Sequence, residues 1–274
     1  AGDLFADVSY GAYLPRINYR FEGRSDTNAA KGSAYVQIAQ MIGDLSLTLG
    51  VRADYFNLIE DPVAVAPRLS LGYALSYTTR LTASLGRTNQ TPAYVWIMSN
   101  PYNKNLPHLE SDQVVLGIDH YLESDWKVTA EVYEKRYARY PVSLARQYLV
   151  MVNTGIGLGG MGEGYASFGL DSLVSRGKGY SYGAELFVQK RLSESPWYGK
   201  TSISYNVTRF KALDGIWRPS DYDQRWILTV GGGYILNEVW EFSGLFRYYT
   251  GRPYTPYFGP TVWVRSQDFY NDAR

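Results

Sequence analysis

Three stretches of this 274-residue chain gather arginine and aromatic side chains in the pattern of a ligand-recognition surface. Arg87, Asn89, Gln90, Tyr94, Trp96 and Tyr102 form the first. Arg136, Tyr137, Arg139, Tyr140, Arg146 and Tyr148 form the second, and Arg252, Tyr254, Tyr257 and Trp263 the third. A guanidinium offers a fork of N–H donors to an anion and stacks on aromatic faces. Such sets suit anionic or catecholate-like chelates, and also sugars or peptides. The residues expected to touch ligand are Arg87, Gln90, Tyr94, Trp96, Tyr102, Arg139, Tyr140, Arg252 and Tyr254. The competing reading is that Tyr and Arg simply cover long polar connections, and for any single residue it outweighs ligand contact.

Other chemistry is poorly supplied. The two histidines are His108, near Glu110, Ser111 and Asp112, and His120, beside Tyr121. A hydrolase dyad at His108 is conceivable, but a connection histidine among polar neighbours is ordinarily a solvated surface group. His120 reads as an interfacial residue, and no catalytic residue is assigned. Cysteine is absent, which rules out a disulfide framework and any thiolate metal site, and neither a metal nor a cofactor is expected. The glycine-rich run 155–164 precedes a strand pattern rather than a helix, so it reads as a flexible loop and not as a phosphate cradle. A net charge of +1 with acids and bases interspersed offers nothing to a nucleic acid.

The elements that must position these residues are strands. Alternating apolar and polar runs pair as 33–42 with 45–57, 68–77 with 80–90, 112–122 with 126–142, 178–192 with 199–211, and 224–236 with 239–250. Within a pair the join is short: Gly43-Asp44, the Thr78-Thr79 region, Glu123-Ser124-Asp125, the segment around Ser195-Pro196, and Asn237-Glu238. Between pairs it is long and polar, as in 91–111 and 143–177. In 45–57, Leu45, Leu47, Leu49, Val51, Ala53 and Tyr55 share one face, and Ser46, Thr48, Arg52 and Asp54 share the other. Strands of ten or more residues exceed the 5–6 usual in a soluble sandwich and match the 9–11 that cross a bilayer while tilted.

No run of 18 or more apolar residues exists, so a transmembrane helix is excluded. Aromatic residues make up 16% of the chain, and Tyr55, Trp126, Tyr198, Trp240 and Tyr248 stand at strand ends, where the two girdles of a membrane barrel lie. The pattern therefore predicts an all-β, antiparallel transmembrane β-barrel of the bacterial outer membrane. Short turns face the periplasm, and the strands ending near Phe56, Gln90, Pro141, Phe210 and Thr250 point outward. Arg52, Asp54, Glu131, Lys135, Glu185 and Arg247 fall on the polar face. They are read as lumen-facing, because a charge on the lipid face costs roughly 2–4 kcal/mol at mid-membrane. Ten strands are expected, with one or two more in 1–21 and 261–270.

Ala34-Tyr35-Val36-Gln37 followed by Leu49-Gly50-Val51-Arg52-Ala53-Asp54-Tyr55 resembles TonB-dependent outer-membrane receptors. So do Ala66-Pro67-Arg68-Leu69-Ser70-Leu71-Gly72-Tyr73, Ser84-Leu85-Gly86-Arg87-Thr88-Asn89-Gln90-Thr91-Pro92, Ser111-Asp112-Gln113 with Leu116-Gly117-Ile118, and Glu131-Val132-Tyr133-Glu134-Lys135. Tyr182-Gly183-Ala184-Glu185-Leu186 is similar to that family's strand with an inward Glu. Asp223-Gln224-Arg225-Trp226-Ile227-Leu228 and Thr250-Gly251-Arg252-Pro253-Tyr254-Thr255-Pro256 are similar to its late barrel strands. The order and spacing of these motifs over 33–257 carry the resemblance.

The resemblance implies a 22-stranded barrel around an N-terminal plug, energised through TonB, that imports iron chelates, cobalamin, saccharides or peptides. Residues 1–274 are then expected to be the barrel portion, its C-terminal half or slightly more, with the plug domain and the segment that meets TonB outside it. Plug contact is the implied role of the inward charges, ahead of a solute path. The further partners are outer-membrane lipid and lipopolysaccharide. Two other readings stay open: a scaffolding barrel in an envelope complex, and a small passive porin or outer-membrane hydrolase of ten to twelve strands. No enzymatic activity is expected on the leading one.

Overall fold

Alternation along the chain becomes long, hydrogen-bonded strands. The computed structural model describes residues 2–14, 17–122, 125–151 and 171–253. A hairpin of β1 (Gly2–Leu14) and β2 (Ile17–Ala29) pairs only within itself among the described residues. Then come β3 (Lys31–Ile42), β4 (Leu45–Phe56), β5 (Val63–Ala74), β6 (Thr79–Gln90), a short helix α1 (Tyr94–Ser99) and a 3-10 turn (Pro101–Asn105). They are followed by β7 (Leu109–Leu122), β8 (Trp126–Ser143), β9 (Leu173–Lys190), β10 (Trp197–Lys211), a three-residue β11 (Trp217–Pro219), β12 (Trp226–Ile235) and β13 (Glu241–Tyr249).

Ten of these strands form one antiparallel meander, each hydrogen-bonded to its neighbours in chain order, while β11 pairs with β10. One register row crosses all ten: Ile42, Leu45, Tyr73, Leu81, Ile118, Ala130, Leu186, Ile203, Leu228 and Tyr248 stand directly opposite one another in turn. Every member is apolar or Tyr. The adjacent row runs Ser46, Gly72, Thr82, Gly117, Glu131, Glu185 and Ser204, and its side chains emerge on the opposite face. The sheet thus has one continuous apolar face and one polar face.

Strand tilt follows from the same register. Ile42 abuts the first short turn, whereas Tyr248, in its row, stands eight residues beyond Trp240 and the last short turn. Eight residues at about 3.3 Å each, set against nine strand spacings of about 4.8 Å, give a tilt of about 30°. That is close to the inclination of membrane barrels.

The first turn is tight because Gly43 adopts φ +58°, which other residues take up only with strain. At the same end, Asp125 ties two neighbouring turns by pairing with Lys190 Nζ (2.9 Å) and accepting from Ser193 Oγ (2.7 Å). The Lys190 ammonium holds the Asp125 carboxyl below its usual range. Trp126 and Trp197 meet edge to face there, their centroids 5.4 Å apart. Trp126 and Trp240 thus mark the turn end as expected. Tyr198 differs: it lies on the polar face, its hydroxyl donating to Glu241, and Trp197 takes the girdle position.

Close packing is concentrated at the other end, under the long connections. Three clusters form there: Leu109, Tyr140, Val142, Val150 and Phe210; Phe56, Leu58, Ile59 and Ile97; and Trp96, Leu106, Leu149, Met151 and Leu173. Several strands are longer than their alternation suggests. β5 begins at Val63 and β9 at Leu173, so the connection after β4 shrinks to 57–62. The irregular segment 91–111 contains α1 and the 3-10 turn, and β11 adds a strand that alternation over three residues cannot announce. The runs 155–164 and 261–270 lie outside the described residues.

Candidate ligand-facing site

The residues expected to face a lumen share the polar face. Arg52 and Asp54, two residues apart on β4, form an ion pair of 2.8 Å. Glu131 on β8 stands directly opposite Glu185 on β9, and Lys135 lies over the Tyr133 ring at 5.3 Å. Arg247, opposite Thr229, is exposed on β13. Alternation adds three charged groups that the motifs did not single out. Arg80 donates to Ser46 Oγ at 2.7 Å, and Asp119 pairs with Lys127 at 2.9 Å. Glycine makes room on this face: a Cβ on Gly72 would collide with the Arg80 guanidinium, and one on Gly117 would collide with Thr82 and crowd Glu131.

The expected ligand contacts scatter to different places. Trp96 (5% exposed) and Tyr140 (9% exposed) are core residues of the loop end rather than open loop surface. Both sit where connections must bury apolar area to fold at all. Tyr94 packs edge to face on Phe56 at 5.5 Å. Arg87 is gripped by both oxygens of Asp112 at 2.7 and 2.8 Å. Arg139 takes φ +57° at the β-bulge of β8 and pairs with Glu110 at 3.1 Å. Tyr102 is 46% exposed, Gln90 is exposed at the end of β6, and Arg252 is exposed with its guanidinium 5.2 Å from the Tyr222 ring centre. Tyr254, Tyr257 and Trp263 lie outside the described residues.

Arg146 and Tyr148 also serve the loop end, Tyr148 packing against its core and Arg146 bonding Asp171 at 2.8 and 2.9 Å. The anchor is Asn103. Its amide donates to the carbonyls of Trp96 (2.9 Å) and Asp171 (3.1 Å) and accepts from the Leu173 N–H (2.8 Å). It thereby pins the helical connection 91–108 to the start of β9.

His108 is not the solvated group its neighbours suggest. It is 2% exposed, burial pushes its imidazole down from the usual range, and it hydrogen-bonds the Asp61 backbone. Its Nε2 has no partner. It lines a cavity of about 400 Å³ with Lys31, Arg52, Asp54, Gln90 and Thr91. Lys31 reaches Thr91 Oγ1 at 2.9 Å and lies 4.4 Å and 4.6 Å from the Tyr94 and Phe56 ring centres. Sequence reasoning missed Lys31 because it precedes the first alternating run. His120, by contrast, bonds Thr79 Oγ1 at 2.8 Å near a short turn.

A tilted antiparallel meander, apolar on one face and polar on the other, with folded connections gathered at one end, is the wall of a transmembrane β-barrel. The chain belongs to the TonB-dependent receptor-like β-barrel family, which matches residues 2–273. It is an outer-membrane protein, of a family of receptors and transporters. Solved structures that share its fold include three transporters. The outer membrane transporter YddB from Escherichia coli has a TM-score of 0.65 at 12% identity, over 92% of this chain and 37% of that one. The copper transporter OprC has 0.59 at 16%, over 86% and 37%. The FrpB iron transporter from Neisseria meningitidis (F3-3 variant) has 0.57 at 13%, over 77% and 31%. At these identities the likeness is one of fold, and the chain spans about a third of those proteins' lengths. No curated protein sequence matches it.

Proposed function

We propose that this chain is a barrel portion of a TonB-dependent receptor that imports a scarce solute, with an iron or other metal chelate ahead of cobalamin, saccharide or peptide. The observation that carries the reading is the charged polar face set behind an unbroken apolar row. A wall of that kind encloses water and faces lipid. The iron and copper transporters that share the fold support the chelate class. Lys31, Arg52, Gln90 and His108 around the loop-end cavity, with exposed Tyr102 and Arg252 nearby in sequence to other connections, are the groups offered to an anionic chelate. Buried Trp96 and Tyr140 hold the connections that carry them.

Glu131 and Glu185, opposed on the polar face with no cation paired to either among the described residues, suit a basic group of the receptor's own plug. Energy coupling through TonB is part of the same proposal. Uptake of radiolabelled ferric chelates by cells with and without the full receptor gene, under iron limitation, tests the proposal. Equal uptake across catecholate, hydroxamate and citrate chelates in both strains would remove the ferric-chelate reading.

A further inference from the structure

The apolar face ends in a cluster of cations. On β10, Trp197, Ile203, Tyr205 and Val207 share the apolar face, and Arg209 and Lys211 continue it. The ten steps along the strand from Trp197 to Val207, tilted, climb about 28 Å, against the roughly 25 Å height of an outer-membrane apolar band. Arg209 and Lys211 therefore emerge at the outer edge of the lipid, on the side facing it.

Lys178 on β9 stands directly opposite Lys211, and Tyr180 lies between Arg209 and Arg136 in one row. Two lysines directly opposed on one face destabilise a sheet unless something of opposite charge sits between them. Nothing among the described residues does. Lys178, Arg209 and Lys211 have no carboxylate partner among the described residues, and Arg209 Nε is buried without any hydrogen-bond acceptor. Trp217 and Tyr180 brace the cluster, their ring centres 4.9 Å apart, with Lys211 Nζ 5.0 Å from the centre of the Trp217 ring. The acids nearby on that face are already engaged: Glu134 bonds Arg136 at 2.7 Å, and Asp112 bonds Arg87.

We infer that Lys178, Arg209 and Lys211, flanked by Arg136, form a binding site for the phosphates of lipid A in the outer leaflet. Its acyl chains lie along the apolar face below. The site needs a ligand that is anionic at its head and apolar beneath it, because the cations and the apolar row are contiguous on one wall. The inference rests on the membrane-barrel reading of the chain.

The test uses the full receptor, reconstituted in neutral phosphatidylcholine vesicles and titrated with bisphosphorylated lipid A, in buffer free of divalent cations. Wild-type receptor is expected to bind lipid A saturably and to lose that binding with dephosphorylated lipid A. Each Lys or Arg replaced by Gln weakens binding about fivefold, and K178Q/R209Q/K211Q together weaken it on the order of a hundredfold. Equal affinity for the phosphorylated and dephosphorylated lipid overturns the inference, as does binding of phosphatidylglycerol as tight as that of lipid A. Should the triple variant fail to fold by heat-modifiable gel mobility, the dephosphorylated arm on wild type decides alone. Failure of the receptor to insert into vesicles would refute the barrel reading itself, whereas insertion without phosphate discrimination refutes only this site.

Discussion

Ile203 and Ser204 are consecutive residues of β10 on opposite faces, which makes them a sharp probe of what each face touches. Ile203 belongs to the ten-strand apolar row, and Ser204 stands opposite Glu185. Ile203 is 37% exposed. If water covered that face, arginine there would change stability by no more than about 0.5 kcal/mol, as exposed surface substitutions do. If lipid covers it, Ile203→Arg costs about 2–4 kcal/mol, a factor of roughly 30 to several hundred in the folding equilibrium. Ser204→Arg, one residue on, places its guanidinium beside the Glu185 carboxylate on the polar face, and is expected to be neutral or slightly stabilising. Urea titrations of the receptor in phosphatidylcholine vesicles, read by tryptophan fluorescence and by gel mobility with and without boiling, measure both. Equal losses at the two positions, or no loss at Ile203, would refute the two-faced assignment.

Three further outcomes follow from particular contacts. Asn103→Ala leaves the Trp96 and Asp171 carbonyls and the Leu173 N–H without this partner, at a cost of about 2–3 kcal/mol. Limited proteolysis should then cut within 91–108 while the barrel keeps its heat-modifiable mobility, and unchanged cleavage would remove Asn103 as the anchor. Asp221, in the connection after β11, has its carboxyl pushed up to about 6 by burial. The folded state then holds this proton more tightly than the unfolded one, so the group's contribution makes stability rise as pH falls from about 7 through 6 toward 4. Protection factors for hydrogen exchange in 212–225, taken relative to the unfolded-chain rate at each pH, should rise across that window and Asp221→Asn should flatten the change; pH-independent protection in the wild type would contradict the assignment. Replacing Glu131 and Glu185 together with Gln relieves a directly opposed like-charge pair, stabilising the isolated wall by about 0.2–1 kcal/mol. In the full receptor the same change should raise planar-bilayer conductance by loosening the plug, and an unaltered conductance would argue against plug contact there.

The loop end shows where local sequence stops being informative. Trp96, Tyr94 and Tyr140 carry the same side chains as a ligand surface would, and nothing within a few residues of each says that it is inside. Burial came from partners far along the chain: Leu149, Met151 and Leu173 for Trp96, Phe210 for Tyr140, and Phe56 for Tyr94. His108 looked solvated for the same reason, its polar sequence neighbours being no guide to the packing above it. Lys178 and Lys211 passed unnoticed because their opposition exists only once β9 and β10 are in register.

The faces of the wall, by contrast, could be read directly from the sequence. Successive side chains leave a strand on opposite sides whatever the strand pairs with, so period-two alternation in Leu45–Tyr55 or Trp126–Val132 already sorts lipid from lumen. Short joins such as Gly43-Asp44 likewise announce hairpins through backbone geometry alone. Which residues of different strands stand opposite one another is a property of the assembled sheet. Register brought ten apolar residues into one row, set Glu131 against Glu185, and carried four cations to the rim. The sequence alone determined a membrane barrel wall with an oily and a wet face. The tertiary structure decided which of its charges and aromatics hold the loops together and which remain exposed, because those contacts join residues that are distant along the chain.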